Sequence, residues 1–97
     1  MLADVMADDI QEIGDRLRLT REVKKLNQAT WCKLVGIEQQ AWNNYERGRK
    51  RISIDQALKV CRFAGVTLDW IYRGVPSGGI PIELAMEVQA REKRGRR

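Results

Sequence analysis

Residues 27–51 read NQATWCKLVGIEQQAWNNYERGRKR, and their apolar spacing breaks once, at Gly36. Before that glycine, Trp31, Cys32 and Val35 fall on one helical face at three- and four-residue spacing. After it, Ile37, Trp42 and Tyr45 do the same. Gly36 stands where the chain must turn sharply, a place that suits a residue with no Cβ penalty at positive φ. Two short helices joined by so tight a turn cannot lie antiparallel, and they cross steeply.

The far face of the second helix carries Gln39, Gln40, Asn43 and Asn44, four carboxamides that add nothing to a core. A Gln or Asn side chain can pair in bidentate fashion with the major-groove edge of adenine. Directly behind them comes Arg47-Gly48-Arg49-Lys50-Arg51, a cluster of cations suited to phosphate. Taken alone, the amides also fit a solvated surface and the cations a soluble loop. Their adjacency, together with the turn glycine, favours a helix-turn-helix that reads DNA. Trp31, Trp42 and Tyr45 are core by periodicity rather than a stacking platform for bases.

Working outward, 97 residues leave room for one small domain and its flanks. The net charge of +5 is unevenly placed. Residues 1–15 hold five acids (Asp4, Asp8, Asp9, Glu12 and Asp15) and no Lys or Arg, so all 18 basic residues face eight acids in the remainder. A basic body points to a polyanion, nucleic acid or an acidic membrane surface. Cys32 and Cys61 are too few for a disulfide framework and show no metal-ligand spacing, so each is expected as a small buried hydrophobe. The absence of histidine rules out a His-based triad or zinc site, and no cofactor is expected. No apolar run approaches transmembrane length, and the opening MLADVMADDI is acidic, unlike a signal peptide, so a cytoplasmic location without membrane contact is expected.

The segments divide as follows. Residues 1–8 are expected as a flexible acidic arm. Asp8 or Asp9 caps a first helix running to about Lys25, with Ile10, Ile13, Leu17 and Thr20 inward. Gly14 within it costs roughly 1 kcal/mol in propensity, which close approach of another helix would explain. Asn27 caps the second helix, Gln28 to Val35, whose first-turn amides suit a phosphate. The third helix runs from about Gln39 to Arg47. Ser53 and Gln56 form a capping box for a fourth, Ile54 to Ala64, with Ile54, Ala57, Leu58, Cys61 and Ala64 inward. Thr67 caps a fifth, Leu68 to Arg73, ended by Gly74. Residues 9–74 thus make one all-α, five-helix domain. Residues 75–81 (VPSGGIP) form a linker. In the tail, 82–97, apolar residues alternate as in a strand while the composition favours helix, and Pro81 suits a first helical turn. Both readings stand at this point, and the basic end AREKRGRR is expected to be disordered.

Ile13-Gly14, Arg16-Leu17-Arg18, Arg21-Glu22, Leu26, Gln28, Gly36-Ile37, Glu46-Arg47-Gly48 and Gly65-Val66-Thr67-Leu68-Asp69 resemble, in order and spacing, the Cro/C1-type (XRE-like) helix-turn-helix family. The resemblance covers about Ile13 to Gly74 and implies a lambda-repressor-like domain. It implies that the third helix enters the major groove, so that Gln39, Gln40, Asn43 and Asn44 read bases. The Gln39-Gln40 pair is similar to that of lambdoid phage repressors. It further implies that Gln28, at the head of the second helix, braces a phosphate and the first recognition residue. Asn27, Arg47, Arg49, Lys50 and Arg51 complete the expected phosphate-binding set.

Three positions depart from that pattern. Glu38 replaces the usual Ser or Thr cap, where a carboxylate is expected to cap poorly and repel phosphate. Lys25 stands where glycine often ends the first helix, which predicts a strained residue. Thr20 replaces a usual Leu and shrinks the core.

The resulting expectation is a sequence-specific double-stranded DNA-binding regulator, a bacterial or phage-encoded, nucleoid-associated repressor acting as a homodimer on a palindromic operator. Phe63, Trp70 and Tyr72, with Leu84, Met86 and Val88 of the tail, are expected to offer an apolar surface to a partner helix. Folding of the tail over Trp70 within one chain is the competing arrangement. The second functional reading is a protein-interaction module of anti-activator or antitoxin type, motivated by Glu38 and the apolar tail. An enzyme is rejected for want of a nucleophile–base pair, a metal set or a phosphate loop. With no separate sensor domain, a small-molecule effector is not expected.

Overall fold

The computed structural model describes residues 2–76 and 78–95, with side chains from Asp9 onward. Those residues form six α-helices and no strand: α1 (Leu2–Glu22), α2 (Gln28–Val35), α3 (Gln39–Glu46), α4 (Ile54–Ala64), α5 (Leu68–Arg73) and α6 (Ile82–Gly95). The all-α expectation holds, and α2 to α5 begin where their capping residues place them. Asn27 Oδ1, Ser53 Oγ and Thr67 Oγ1 each accept from the backbone N–H three residues on, at 2.8, 3.2 and 3.0 Å. These are donors that a helix cannot satisfy internally.

The ends of the chain differ from expectation. Helix α1 begins at Leu2, not at a cap on Asp8 or Asp9. The backbone of the stretch expected as an arm thus continues the helix from Leu2. The Asp8 side chain lies outside the described residues. At its other end α1 stops at Glu22, and Lys24 and Lys25 close a turn onto the carbonyls of Arg21 and Glu22. Lys25 adopts φ of 59°, a left-handed position that favours glycine, as expected of a strained residue there. The tail is helical, and α6 carries the basic stretch as far as Gly95. Arg96 and Arg97 lie outside the described residues.

The core joins Ile13 and Leu17 of α1, Trp31 and Val35 of α2, Trp42 and Tyr45 of α3, Val60 of α4, and Trp70 and Ile71 of α5. Helix α1 packs on α3 and α5, α2 on α3 and α4, and α4 on α5. Gly14 is the contact point between α1 and α3. A Cβ there would overlap the Tyr45 carbonyl oxygen and lie 2.8 Å from that of Glu46. The expected close approach is therefore real, and it is to backbone.

Three expectations about which side chains point inward require correction. In α4, Ala57, Val60 and Ala64 are buried, whereas Ile54 and Leu58 are exposed. The helix turns its branched Val60 inward, so the inner stripe is Ala57-Val60-Ala64 rather than Ile54-Leu58. Trp70, expected on the outside of α5, is 3% exposed. Its indole Nε1 donates to Thr20 Oγ1 at 3.0 Å. Tyr72 is half-buried and its hydroxyl donates to the Ile52 carbonyl at 2.7 Å. The tail also divides its apolar residues. Leu84 is fully buried against the domain and Val88 packs beside the core, while Ile82 and Met86 are exposed. Lys24–Glu83 and Arg91–Glu22 ion pairs at 3.8 and 3.9 Å, of small energetic weight, lie between α6 and the end of α1. Within this one chain, Leu84 and Val88 of the tail lie against the chain's own core.

Candidate nucleic-acid interface

Helices α2 and α3 are joined by three residues, Gly36 to Glu38. Gly36 sits at φ of 88°, and the Cys32 carbonyl accepts from both Gly36 and Ile37, at 2.8 and 3.1 Å. A side chain at that φ would be strained even though no neighbour crowds it. Lys59 of α4 donates to the Gly36 carbonyl at 3.0 Å and ties the turn to the next helix.

Glu38 caps α3 well, contrary to expectation. Its Oε1 accepts from the Ala41 N–H at 3.0 Å and its Oε2 from Gln40 at 3.2 Å. The longer side chain folds back over the helix end and satisfies two orphan donors, where a serine would satisfy one. The negative charge also sits at the positive end of the helix dipole.

Helix α3 divides sharply. Trp42, Tyr45 and Glu46 are buried, Gln39 and Gln40 are exposed, and Asn43 and Asn44 are half-buried. Eight residues make a rod about 12 Å long. Gln28, Glu38, Gln39, Gln40 and Asn43 border an open polar cleft at its head. The four amides therefore share the outer side of α3 and its flank toward α2.

The expected phosphate set is less uniform. Asn27 is exposed, but its Oδ1 caps α2. Arg47, Arg49 and Lys50 are exposed in the segment after α3. Arg51 donates to Asp9 Oδ2 of α1 at 3.0 Å, in an exposed ion pair of small energetic weight. Gln28 turns its amide nitrogen inward, donating to Glu46 Oε1 at 3.0 Å and to Asn43 Oδ1 at 3.3 Å. Its partners on α3 in the chain alone are the fifth and eighth residues of that helix.

The structure adds residues that the sequence did not single out as a site. Glu46 is 4% exposed and accepts from four donors: Arg21 Nε at 2.7 Å, Arg21 Nη2 at 3.0 Å, Gln28 Nε2, and the indole of Trp42. Burial pushes the carboxyl pKa up, but the hydrogen bonds from Arg21, Gln28 and Trp42 outweigh it and hold the group below its ordinary range. The same hydrogen bond raises the pKa of the Arg21 guanidinium against its desolvation. Arg21 also donates to the Leu26 carbonyl at 2.9 Å, so one side chain fixes α1, the α1–α2 turn and α3. The available signal was a carboxylate on the apolar face of α3, one turn after Trp42, in a chain with an arginine near the end of α1.

Neither cysteine is paired, Cys32 being buried and Cys61 half-buried, and desolvation raises the pKa of both thiols. Among the described residues, no helix is long and apolar enough to cross a membrane.

Residues 12–70 match the family model described as a helix-turn-helix domain. The chain is also similar to an "Uncharacterized transcriptional regulator in ATPase CF(0) region" of Rhodospirillum rubrum, at 30% identity over 66 residues. That alignment covers 68% of this chain and 61% of the relative, so the chain spans about six-tenths of the relative's length. No solved structure matches the chain. The matched segment contains α2, the Gly36 turn, α3 and all of the Glu46 network, and the chain belongs to the helix-turn-helix domain family.

Proposed function

We propose that this protein is a sequence-specific DNA-binding transcription regulator of the Cro/C1 type, a repressor that acts as a dimer on a palindromic operator in the bacterial cytoplasm. The observation that carries this reading is the outer face of α3. It presents amides over a buried aromatic base and is followed at once by exposed Arg47, Arg49 and Lys50. Gln39, Gln40, Asn43 and Asn44 supply the donors and acceptors that major-groove edges require. The cations behind them, with Arg51 and the head of α2 at Asn27 and Gln28, supply phosphate contacts that fix register. Family membership and the printed name of the Rhodospirillum rubrum relative support the coarser part of this reading, a DNA-binding transcription regulator.

Selection of bound duplexes from random DNA tests it directly. Enrichment of two inverted half-sites whose centres lie about one helical turn (~34 Å) apart is the expected result. Recovery of no preferred sequence would sink the proposal. A second reading, a protein-binding module on the same fold, draws on Ile82 and Met86, which stand exposed one turn apart on α6. Duplex binding that Ile82→Ser and Met86→Ser leave unchanged would separate that face from the DNA role.

A further inference from the structure

The cationic segment behind α3 lies against α1, whose first half is acidic. Residues 1–15 hold five acids and no Lys or Arg. Arg51 donates through Nη1 to Asp9 Oδ2 at 3.0 Å. The two side chains are 39% and 38% exposed, so a phosphate can reach Arg51 while the carboxylate stays beside it. The ion pair is not what holds the segment in place. Gly48, at φ of 70°, sits so close to α1 that a Cβ on it would lie 3.2 Å from the Gln11 Cα. Ile52, the residue after Arg51, is buried, and its carbonyl accepts from the Tyr72 hydroxyl at 2.7 Å. Arg51 is thus anchored on both sides by backbone and core, and an exposed pair adds little to that. What Asp9 adds is a negative charge beside the cation.

Resting on the DNA-binding reading above, we infer that Asp9 is an affinity-limiting residue, a built-in competitor of DNA phosphate for Arg51. A guanidinium has five N–H donors, so Nη1 can stay on Asp9 while other donors take a phosphate. Carboxylate and phosphate then stand within a few ångströms of each other and repel. If the guanidinium turns to the phosphate alone, the carboxylate is left unpaired beside the same site. In both cases Arg51 and Asp9 together bring no net charge to the duplex. The sequence-independent part of the affinity, and the counterion release that sets its salt dependence, fall by about one contact per bound protomer. The amides of α3 take no part in the pair, so Asp9 weakens binding to preferred and arbitrary sequences alike.

The test is fluorescence anisotropy with the full chain and its variants, each checked for cooperative thermal unfolding. Two labelled duplexes are used, one enriched by selection and one of arbitrary mixed sequence, at salt from roughly 50 to 200 mM. Asp9→Asn keeps the side-chain shape and an acceptor for Arg51 but removes the charge. It should tighten binding to both duplexes by roughly four- to tenfold at the low-salt end. It should also steepen the slope of log K against log salt by about 0.9 per bound protomer. Asp9→Asn combined with Arg51→Ala should return the slope to about the wild-type value. Glu92→Gln makes the same change in net charge at an exposed position of α6 and should have the smaller effect. Binding by Asp9→Asn that is unchanged or weaker overturns the inference alone, as does an equal gain from Glu92→Gln. Failure of wild type and Asp9→Asn to bind either duplex overturns the DNA-binding reading itself.

Discussion

The Trp70 indole N–H donates to the Thr20 hydroxyl across fifty residues of sequence, and that hydroxyl in turn donates to the Arg16 carbonyl at 2.7 Å. Thr20 is 1% exposed, so the pair is sealed from water between α1 and α5. A threonine at this core position looks from the sequence like a loss of core volume, yet here it completes the hydrogen bonding of a buried tryptophan. Thr20→Val keeps the shape and removes the acceptor. It should cost about 1–3 kcal/mol, the desolvation penalty of an unpaired donor. Urea titration gives the value. A midpoint within error of wild type would show that the indole finds another partner.

The Arg21–Glu46 pair makes a pH prediction. Its carboxyl pKa lies below the ordinary value when folded, so its contribution to stability is fully present above about pH 4.3 and is lost as pH falls through the lowered folded value. Stability of wild type should therefore fall in acid, in the range below pH ~4.3, more steeply than that of Glu46→Gln. Arg21→Met leaves the buried carboxylate uncompensated and should cost roughly 3–5 kcal/mol at neutral pH. Thermal unfolding across pH 2–7 checks both statements.

Gly14→Ala sets helix propensity against packing. By propensity alone the change would add roughly 1 kcal/mol of stability. The overlap with the Tyr45 carbonyl is with backbone, which cannot swing aside, so α1 and α3 must separate. Net destabilisation of about 1–3 kcal/mol is expected. A rise in melting temperature would refute the close approach.

On the outer face of α3, Gln39→Ala and Gln40→Ala should leave the fold intact, because both side chains are exposed. Each should lower discrimination between bases by roughly 1–3 kcal/mol. Lys50→Ala should instead weaken binding to all sequences alike and flatten the dependence of log K on log salt by about one contact's worth. Fluorescence anisotropy at several salt concentrations distinguishes the two behaviours.

Leu84 anchors α6 from a fully buried position. Leu84→Ala should cost about 2–5 kcal/mol, as for other buried leucines. Met86→Ala, on the exposed side of the same helix, should cost little. Equal effects would show that α6 does not sit against its own domain.

What the sequence made legible was local. Asn27, Ser53 and Thr67 are caps because a polar oxygen reaches the N–H three residues on, a relation contained in four consecutive residues. Gly36 and the Trp31–Val35 and Trp42–Tyr45 faces follow in the same way from turn chemistry and period. What was hidden depended on packing between distant segments. Arg21 meets Glu46 across 25 residues, and Trp70 turns inward because Thr20 awaits it. Periodicity also misplaced the inner face of α4, since Ile54 and Leu58 satisfy a helical stripe as well as Ala57 and Val60 do. Glu38 was misjudged for a different reason. Cap preference is ranked by residue type, whereas here side-chain length lets one carboxylate reach two amides.

The three tryptophans are all enclosed, Trp31 against Trp42 and Phe63, Trp42 bonded to Glu46, and Trp70 bonded to Thr20. None lies on the outer side of α3. The domain therefore carries its own optical gauge: ultraviolet emission should shift to the red as the molecule opens, without any attached dye. Trp31, whose N–H has no partner among the described residues, sits in surroundings unlike those of the other two, so its replacement by phenylalanine would separate one signal from the rest.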